Sequence, residues 1–351
     1  MKTRLFSLFL CFTIIACGLF SPPIPQDSTR PSAESLASPK PGTTSESTST
    51  PASPETILDS LGDGIATSEP GGPRDFPPPS IEPVIPLLPP ADVLPLPAGT
   101  VNVLLLGSDQ RENTGGARTD TLLLVSFHPK KGLRMGTSEV SVISFPRDLY
   151  VYIPGWTVRR INEAYQHGGF ELLADTFDYN FGVRPDYFVL VNFGAFQQAV
   201  DGMGGIDVQA AAALEEGDFS VLPGLVHMDG EMALWYVRSR YTTNDFDRMR
   251  RQQEVLMAVF QRMISLNALK KVPQMYTLYD ENVLTNIRLE EALAWVGAAG
   301  RIAEAPETVQ TLTIDLRYVT PYRTPAGAQV LLPDREAILD ALGEILKPSV
   351  P

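Results

Sequence analysis

Four short apolar runs mark the chain between residues 100 and 192: Val101–Leu106, Thr121–Phe127, Val140–Phe145 and Tyr187–Val191. Each is rich in β-branched or aliphatic side chains and bounded by turn residues, which predicts a strand. Their apolarity is nearly continuous rather than alternating, as expected of strands covered on both faces. Elsewhere the period changes. Phe196–Met203, a segment opening at Thr243-Asn244-Asp245, Leu289–Arg301 and Asp334–Leu346 repeat apolar residues at helical spacing. Gln310–Leu316 and Gln329–Leu332 add two strand candidates. Strands alternating with helices predict an α/β layered domain.

The helix opening at 243–245 has capping residues at its start and is expected to run to about Leu266. Met249, Leu256, Phe260 and Met263 fall on one stripe, which reads as core. Arg248, Arg251 and Gln252 flank that stripe together, because three- and four-residue spacings are neighbours on a helix. Arg250 projects away from both groups and reads as a solvated charge. Upstream, Gly230–Val237 is a short helix or an extended run that delivers Arg238 and Arg240. Their spacing of two puts them on one side only if the chain is extended there.

The start of the chain has a different character. Lys2 and Arg4 precede an apolar run from Leu5 to Ile15 and then Ala16-Cys17, an export signal too short to span a bilayer stably. The two cysteines, Cys11 and Cys17, both lie here, so no disulfide and no thiolate metal site is expected in the domain. Residues 18–98 hold more than half of the chain's 31 prolines, with much Ser and Thr, and predict a disordered tether. Fully stretched, such a tether reaches up to about 250 Å. Its stretch Ile81–Leu96 is more apolar than the rest and reads either as packed on the domain's edge or as ordinary collapsed linker. Residues 99–347 are ample for one core.

Charge sharpens the picture. The chain carries a formal net charge of −13, yet Arg238, Arg240, Arg248, Arg250 and Arg251 fall within fourteen positions. Acidity argues against duplex DNA as a partner. A local arginine cluster in an acidic chain points instead to a phosphate-rich ligand, since the planar guanidinium grips phosphate bidentately and stays charged when buried. The bland alternative is a solvated basic helix face. Asp109 follows the first strand and Asp120 precedes the second, so both carboxylates can meet at one sheet edge, where they either hold Mg²⁺ together with ligand phosphate oxygens or cap solvated turns. His128, His167 and His227 have no metal-ligand spacing, and zinc is not expected. Ser108 and Ser144 lack the context of a catalytic triad, so no covalent enzyme intermediate is expected.

Six blocks carry a family resemblance. They are Leu106-Gly107-Ser108-Asp109-Gln110-Arg111, Ala117-Arg118-Thr119-Asp120, Ser144-Phe145-Pro146-Arg147-Asp148, Arg160-Ile161-Asn162-Glu163-Ala164-Tyr165 followed by Gly168-Gly169, Val200-Asp201-Gly202-Met203-Gly204-Gly205-Ile206, and the arginine-rich segment 233–253. In this order they resemble the LytR–CpsA–Psr family of bacterial cell-envelope proteins over roughly residues 100–260. Asp247 and Asn244 depart from the glycines usual in the family's last block. The resemblance implies a three-layer α-β-α sandwich around a central mixed sheet, with a long groove for a lipid carrier.

The activity it implies is a phosphotransferase. A glycopolymer would pass from a polyprenyl diphosphate carrier to a cell-wall glycan hydroxyl, forming a phosphodiester. It implies Mg²⁺, or Mn²⁺, on Asp109 and Asp120. Arg118, Arg147, Arg238 and Arg240 would complete the catalytic set, and Arg111, Arg248, Arg251 and Gln252 would help bind the diphosphate. Asp148 is expected to orient Arg147. Ile14-Ile15-Ala16-Cys17 resembles a lipobox, which implies lipidation of Cys17 and attachment to the outer face of the bacterial cytoplasmic membrane. An uncleaved signal anchor is the alternative. Two competing functions share these residues: a pyrophosphatase acting on lipid-linked or nucleotide diphosphates, and a non-catalytic lipoprotein that captures anionic lipid or glycan.

Overall fold

The computed structural model describes residues 74–108, 119–128, 139–239, 244–265, 283–288 and 309–347. All four predicted runs become strands and each extends slightly: β1 (Val101–Ser108), β2 (Thr119–His128), β3 (Glu139–Phe145) and, after the hairpin of β4 (Tyr150–Tyr152) and β5 (Val158–Arg160), β6 (Tyr187–Asn192). The first helix, α1 (Glu163–Phe181), was not legible as one, because Gly168 and Gly169 break its backbone geometry internally. Helix α2 (Phe193–Gly202) follows β6 directly. Next come β7 (Ile206–Ala210), β8 (Leu214–Glu216), β9 (Phe219–Val221) and β10 (Gly224–Met228). Then follow α3 (Gly230–Arg238) and α4 (Asp245–Ser265), the latter within a residue of its expected end. The chain closes with β11 (Val283–Thr285), β12 (Val309–Thr313), β13 (Val319–Arg323), β14 (Gln329–Pro333) and α5 (Arg335–Ile345). The helix expected over Leu289–Arg301 lies outside the described residues.

Among the described residues the main sheet has the order β11-β6-β1-β2-β3-β12. It is mixed: β1 pairs parallel with β6 and antiparallel with β2, and β3 pairs antiparallel with β2 and parallel with β12. Alternation along each strand sends side chains to opposite faces. Leu104, Leu106, Leu122, Leu124, Ile143 and Phe145 meet Leu173, Phe177 and Phe181 of α1 and Ile338 and Leu342 of α5. Phe145 packs edge-on against Phe177 with ring centroids 4.9 Å apart. On the other face Val103, Leu123, Val125 and Val142 meet Leu256 and Phe260 of α4. The result is the three-layer α-β-α arrangement. A third cluster joins α2, α3 and the β7–β10 ribbon to Val255, Ala258 and Val259 on a further side of α4.

The packed domain starts earlier than composition suggests. Residues from Phe76 onward lie along it as a proline-rich strap, upstream of the expected boundary at 98/99. Ala91 is buried, Phe76, Ile85 and Leu87 pack on the cluster of Tyr150, Tyr152, Tyr179 and Val330, and Leu94 and Leu96 reach the main core. Prolines suit this role because they donate no backbone hydrogen bond and lie extended. The strap's carbonyls accept from the phenols instead: Tyr152 donates to Pro77 O at 2.7 Å and Tyr179 to Leu88 O at 2.7 Å. Gly182 ends α1 with φ +65, and a Cβ there would stand 1.9 Å from the Asp92 carbonyl oxygen. Only glycine lets the helix end there with the strap pressed against it.

A chain that begins at Pro97 should therefore be less stable than one that begins at Arg74. Several half-buried apolar side chains and their hydrogen bonds make the difference on the order of 3 kcal/mol. Denaturant unfolding of the two chains measures it, and equal midpoints would show that the strap adds nothing.

Candidate active site

The carboxyl ends of the parallel strands β1, β6, β3 and β12 share one sheet edge, the usual place for a ligand in an open α/β sheet. Three chain segments deliver polar groups there. Thr119 pairs with Ser108 across the β1–β2 ladder, so Asp120 stands at the opening of β2 beside the end of β1. Arg147 follows β3 by two residues. Asn192 ends β6 and caps α2, its Oδ1 accepting from Ala195 N at 2.8 Å. Gly107 is required at this corner, because a Cβ would lie 2.9 Å from Thr121 Oγ1 on the neighbouring strand. The start of α4 comes to the same place. Asn244 Oδ1 accepts from Phe246 N and Asp247 N at 2.9 and 3.0 Å, and the acids Asp245 and Asp247 sit in the first turn, where the helix dipole favours them.

Between the sheet's second face and helices α2, α3 and α4 lies a cavity of about 380 Å³. Its walls are apolar, with Leu105, Val189, Val191, Phe196, Leu234 and Val259 among them. Polar side chains join the same lining: Asp120, Arg147, Arg238, Arg248 and Gln252. Five predicted site residues are thus brought together.

Charge within the group is tightly arranged. Arg147 Nη1 donates to Asp120 Oδ1 at 2.6 Å, and its Nε lies 3.5 Å from Asp148 Oδ2 and 3.8 Å from Asp245 Oδ2. Burial alone would lower the Arg147 pKa. The hydrogen bond and charge of Asp120, with Asp148 and Asp245, hold it above the usual value. Asp148 also pairs with Arg160 at 3.2 Å, so one carboxylate lies between the two arginines. Arg248 is 4% exposed, pairs with Asp245 at 3.3 Å, and has a buried Nε with no acceptor among the described residues. Gln252 reaches the carbonyl of Val237 at 3.5 Å, and the Arg238 guanidinium lies 4.2 Å over the Phe193 ring. Asp245 is the residue that sequence reasoning undervalued. Its spacing of three before Arg248 was the available signal, but only the fold brings Arg147 to the same carboxylate.

One expected ligand residue does different work. Arg251 is 2% exposed and points into the protein, where Nε donates to Tyr236 O at 2.7 Å and Nη2 to Ser239 O. It fastens the end of α3 onto α4 and does not line the cavity. Burial lowers its pKa, and the nearby Tyr236 and Asp247 offset part of that effect. Arg250 is partly exposed and pairs with Asp247 and Glu254. Ser144 is buried and accepts from Gln253 Nε2 at 2.6 Å, away from the cavity lining. His128 is buried against Thr100, His167 stacks on Trp156 at 4.0 Å, and His227 pairs with Asp207. Asp109, Arg111, Arg118, Arg240 and Cys17 lie outside the described residues. Among the described residues no group of three or more His, Cys, Asp and Glu side chains is placed to hold a metal ion.

An apolar cavity lined also by guanidinium groups fits a ligand with a hydrocarbon body and a phosphate head. The model of the LytR_cpsA_psr family matches residues 91–342. The polyisoprenyl-teichoic acid–peptidoglycan teichoic acid transferase TagU of Bacillus subtilis is 33% identical over 192 residues, covering 54% of this chain and 60% of that protein. TagU of Oceanobacillus iheyensis is 32% identical over 199 residues, again covering 54% and 60%. The chain thus spans about 60% of the length of these curated relatives. Among solved structures, B. subtilis TagV superposes with TM-score 0.57 and 28% identity over 71% of this chain and 98% of that one. TagT bound to LIIa-WTA superposes with TM-score 0.56 and 27% identity over 71% and 90%.

The two neighbouring arginines of α4 should respond oppositely to removal. Arg251→Ala deletes buried charged hydrogen bonds and should cost about 2–4 kcal/mol of stability. Arg250→Ala should stay within about 0.5 kcal/mol of the parent. Denaturant unfolding separates the two, and equal effects would contradict the placement of Arg251.

Proposed function

Because the chain belongs to the LytR–CpsA–Psr family, we propose that it moves a glycopolymer from a polyprenyl diphosphate carrier to a hydroxyl of a cell-wall or envelope glycan. The observation that carries this reading is the mixed lining of the cavity, with aliphatic side chains suited to a prenyl chain and Arg147, Arg238, Arg248 and Gln252 suited to a diphosphate. The names of the TagU relatives, which describe transfer of polyisoprenyl-linked teichoic acid to peptidoglycan, support the same class.

The reaction needs positioning and charge neutralisation more than covalent help from the protein. The acceptor oxygen attacks the glycan-bound phosphorus. A new P–O bond forms as the bridging P–O bond breaks, polyprenyl phosphate departs, and the hydroxyl proton passes to water. Arg147 and Arg248, held by the same carboxylate, would grip oxygens of the two phosphoryl groups and stabilise the charge that builds on the leaving phosphate. Gln252 can donate to the same head without adding charge.

Asp120 tests whether a cation fits. A carboxylate lining a cavity meant for diphosphate needs cationic partners, and a hard cation can be one of them beside Arg147. Arg147 engages one of its oxygens, and a carboxylate has a second to offer. Asp109, one residue beyond β1, is the expected second ligand, and substrate oxygens and waters would fill the rest of the shell. Bound Mg²⁺, or Mn²⁺, supplies neutralisation of the phosphate charge. We further assign Cys17 as the lipidated anchor residue on the outer face of the cytoplasmic membrane. Among the described residues no helix is long and apolar enough to cross a membrane.

Incubation with a lipid-diphosphate glycan should give phosphodiester-linked product only when envelope acceptor is present. Release of glycan phosphate without acceptor would favour the pyrophosphatase reading instead. Asp109→Ala and Asp120→Ala should each abolish transfer, with the double change adding little, as for residues acting as a unit. EDTA should stop turnover and Mg²⁺ or Mn²⁺ restore it, and full activity in chelator would sink the metal assignment. Separately, Cys17→Ala should accumulate as an unprocessed precursor that takes up no labelled fatty acid. Equal labelling of both forms would refute the anchor.

A further inference from the structure

Arg238 differs from the other cavity arginines. Arg147 and Arg248 are held by carboxylates, whereas Arg238, the exposed last residue of α3, pairs with no carboxylate among the described residues and lies over an aromatic ring. We propose that Phe193 is a positioning residue for the ligand head: its ring holds the Arg238 guanidinium ready for diphosphate. The proposal rests on the diphosphate reading above.

Both residues line the cavity, and the guanidinium carbon stands 4.2 Å from the ring centroid. The ring itself is well placed to be a fixed platform. Phe193 follows β6 directly and opens α2, whose first turn is capped by Asn192. A long exposed arginine loses rotamer freedom whenever it binds a ligand, and a surface that already confines it reduces that loss. The kind of surface matters. A carboxylate partner would occupy N–H donors, which lie in the guanidinium plane. An aromatic face attracts the flat side of the group and leaves the in-plane donors for phosphate oxygens. The stack therefore orders Arg238 without neutralising it. The rival role for Phe193 is simple wall, touching only the hydrocarbon part of the ligand.

Inorganic diphosphate separates the two roles, because it has a charged head and no tail. Its affinity is measured by titration calorimetry on the folded chain and on Phe193→Leu, Phe193→Tyr, Arg238→Ala and the Phe193→Leu/Arg238→Ala double variant. Thermal unfolding confirms that each is folded. Phe193→Leu should weaken binding about three- to fivefold, the range for a cation–π contact at an exposed site. Phe193→Tyr keeps a π face and should bind like the parent. In the Arg238→Ala background, Phe193→Leu should change nothing, since its effect acts through that arginine. An equal loss in both backgrounds would overturn the proposal. So would a loss seen only with a prenyl diphosphate, which would assign Phe193 to the wall. A parent chain that fails to bind diphosphate, or an Arg238→Ala chain that binds it as tightly as the parent, would overturn the diphosphate role of Arg238 itself and the stack with it.

Discussion

Mutual repulsion of guanidinium groups is the constraint on which the site depends. Arg147, Arg238 and Arg248 line one cavity of a partly apolar molecule, where like charges are poorly screened. Two carboxylates make this tolerable. Asp245 lies within 3.3 Å of Arg248 and 3.8 Å of Arg147, and Asp120 takes the other side of Arg147 at 2.6 Å. Asp245 is also the first residue of α4, where the helix dipole favours a negative charge. One side chain thus settles a helix terminus and spaces two cationic groups. Arg238 lies over an aromatic face instead, and pairs with no carboxylate among the described residues.

The sheet explains why these residues meet at all. They come from the start of β2 beside the end of β1, from the turn after β3, from the end of α3 and from the first turn of α4. Parallel pairing of β1 with β6 and of β3 with β12 brings those strand ends to one edge. Their register then sets Asp120 beside the turn that carries Arg147. Tight packing at Gly107 allows the β1 and β2 backbones to close up here. Apolar residues on the same strands continue into the cavity wall, so one set of strands supplies both the hydrocarbon surface and the charged groups.

Much of this was legible in the residues, for a physical reason in each case. The central strands are covered on both faces and so read as unbroken apolar runs, and α4 announces itself by its cap and its stripe of Met249, Leu256 and Phe260. Helix α1 was hidden because its two glycines interrupt the pattern and its buried face includes Thr176, Asp178 and Asn180. The strap was half hidden: proline content describes how a segment behaves alone, while Ala91, Leu94 and Leu96 find partners that only the fold supplies. Arg251 shows the limit most clearly. Helical spacing correctly grouped it with Arg248 and Gln252, but angular position cannot say which neighbour a side chain meets. The end of α3 lies against that flank, and its carbonyls take Arg251.

Those two buried arginines differ in how the protein satisfies them. Arg251 spends its donors on the backbone carbonyls of Tyr236 and Ser239, so its burial is compensated within the protein. Arg248 is nearly as buried, yet its ion pair with Asp245 is long at 3.3 Å and, among the described residues, its Nε meets no protein acceptor. An unsatisfied buried donor costs about 1–3 kcal/mol, and more for a charged group. A phosphate oxygen reaching Arg248 would relieve that cost while gaining a charge-assisted bond.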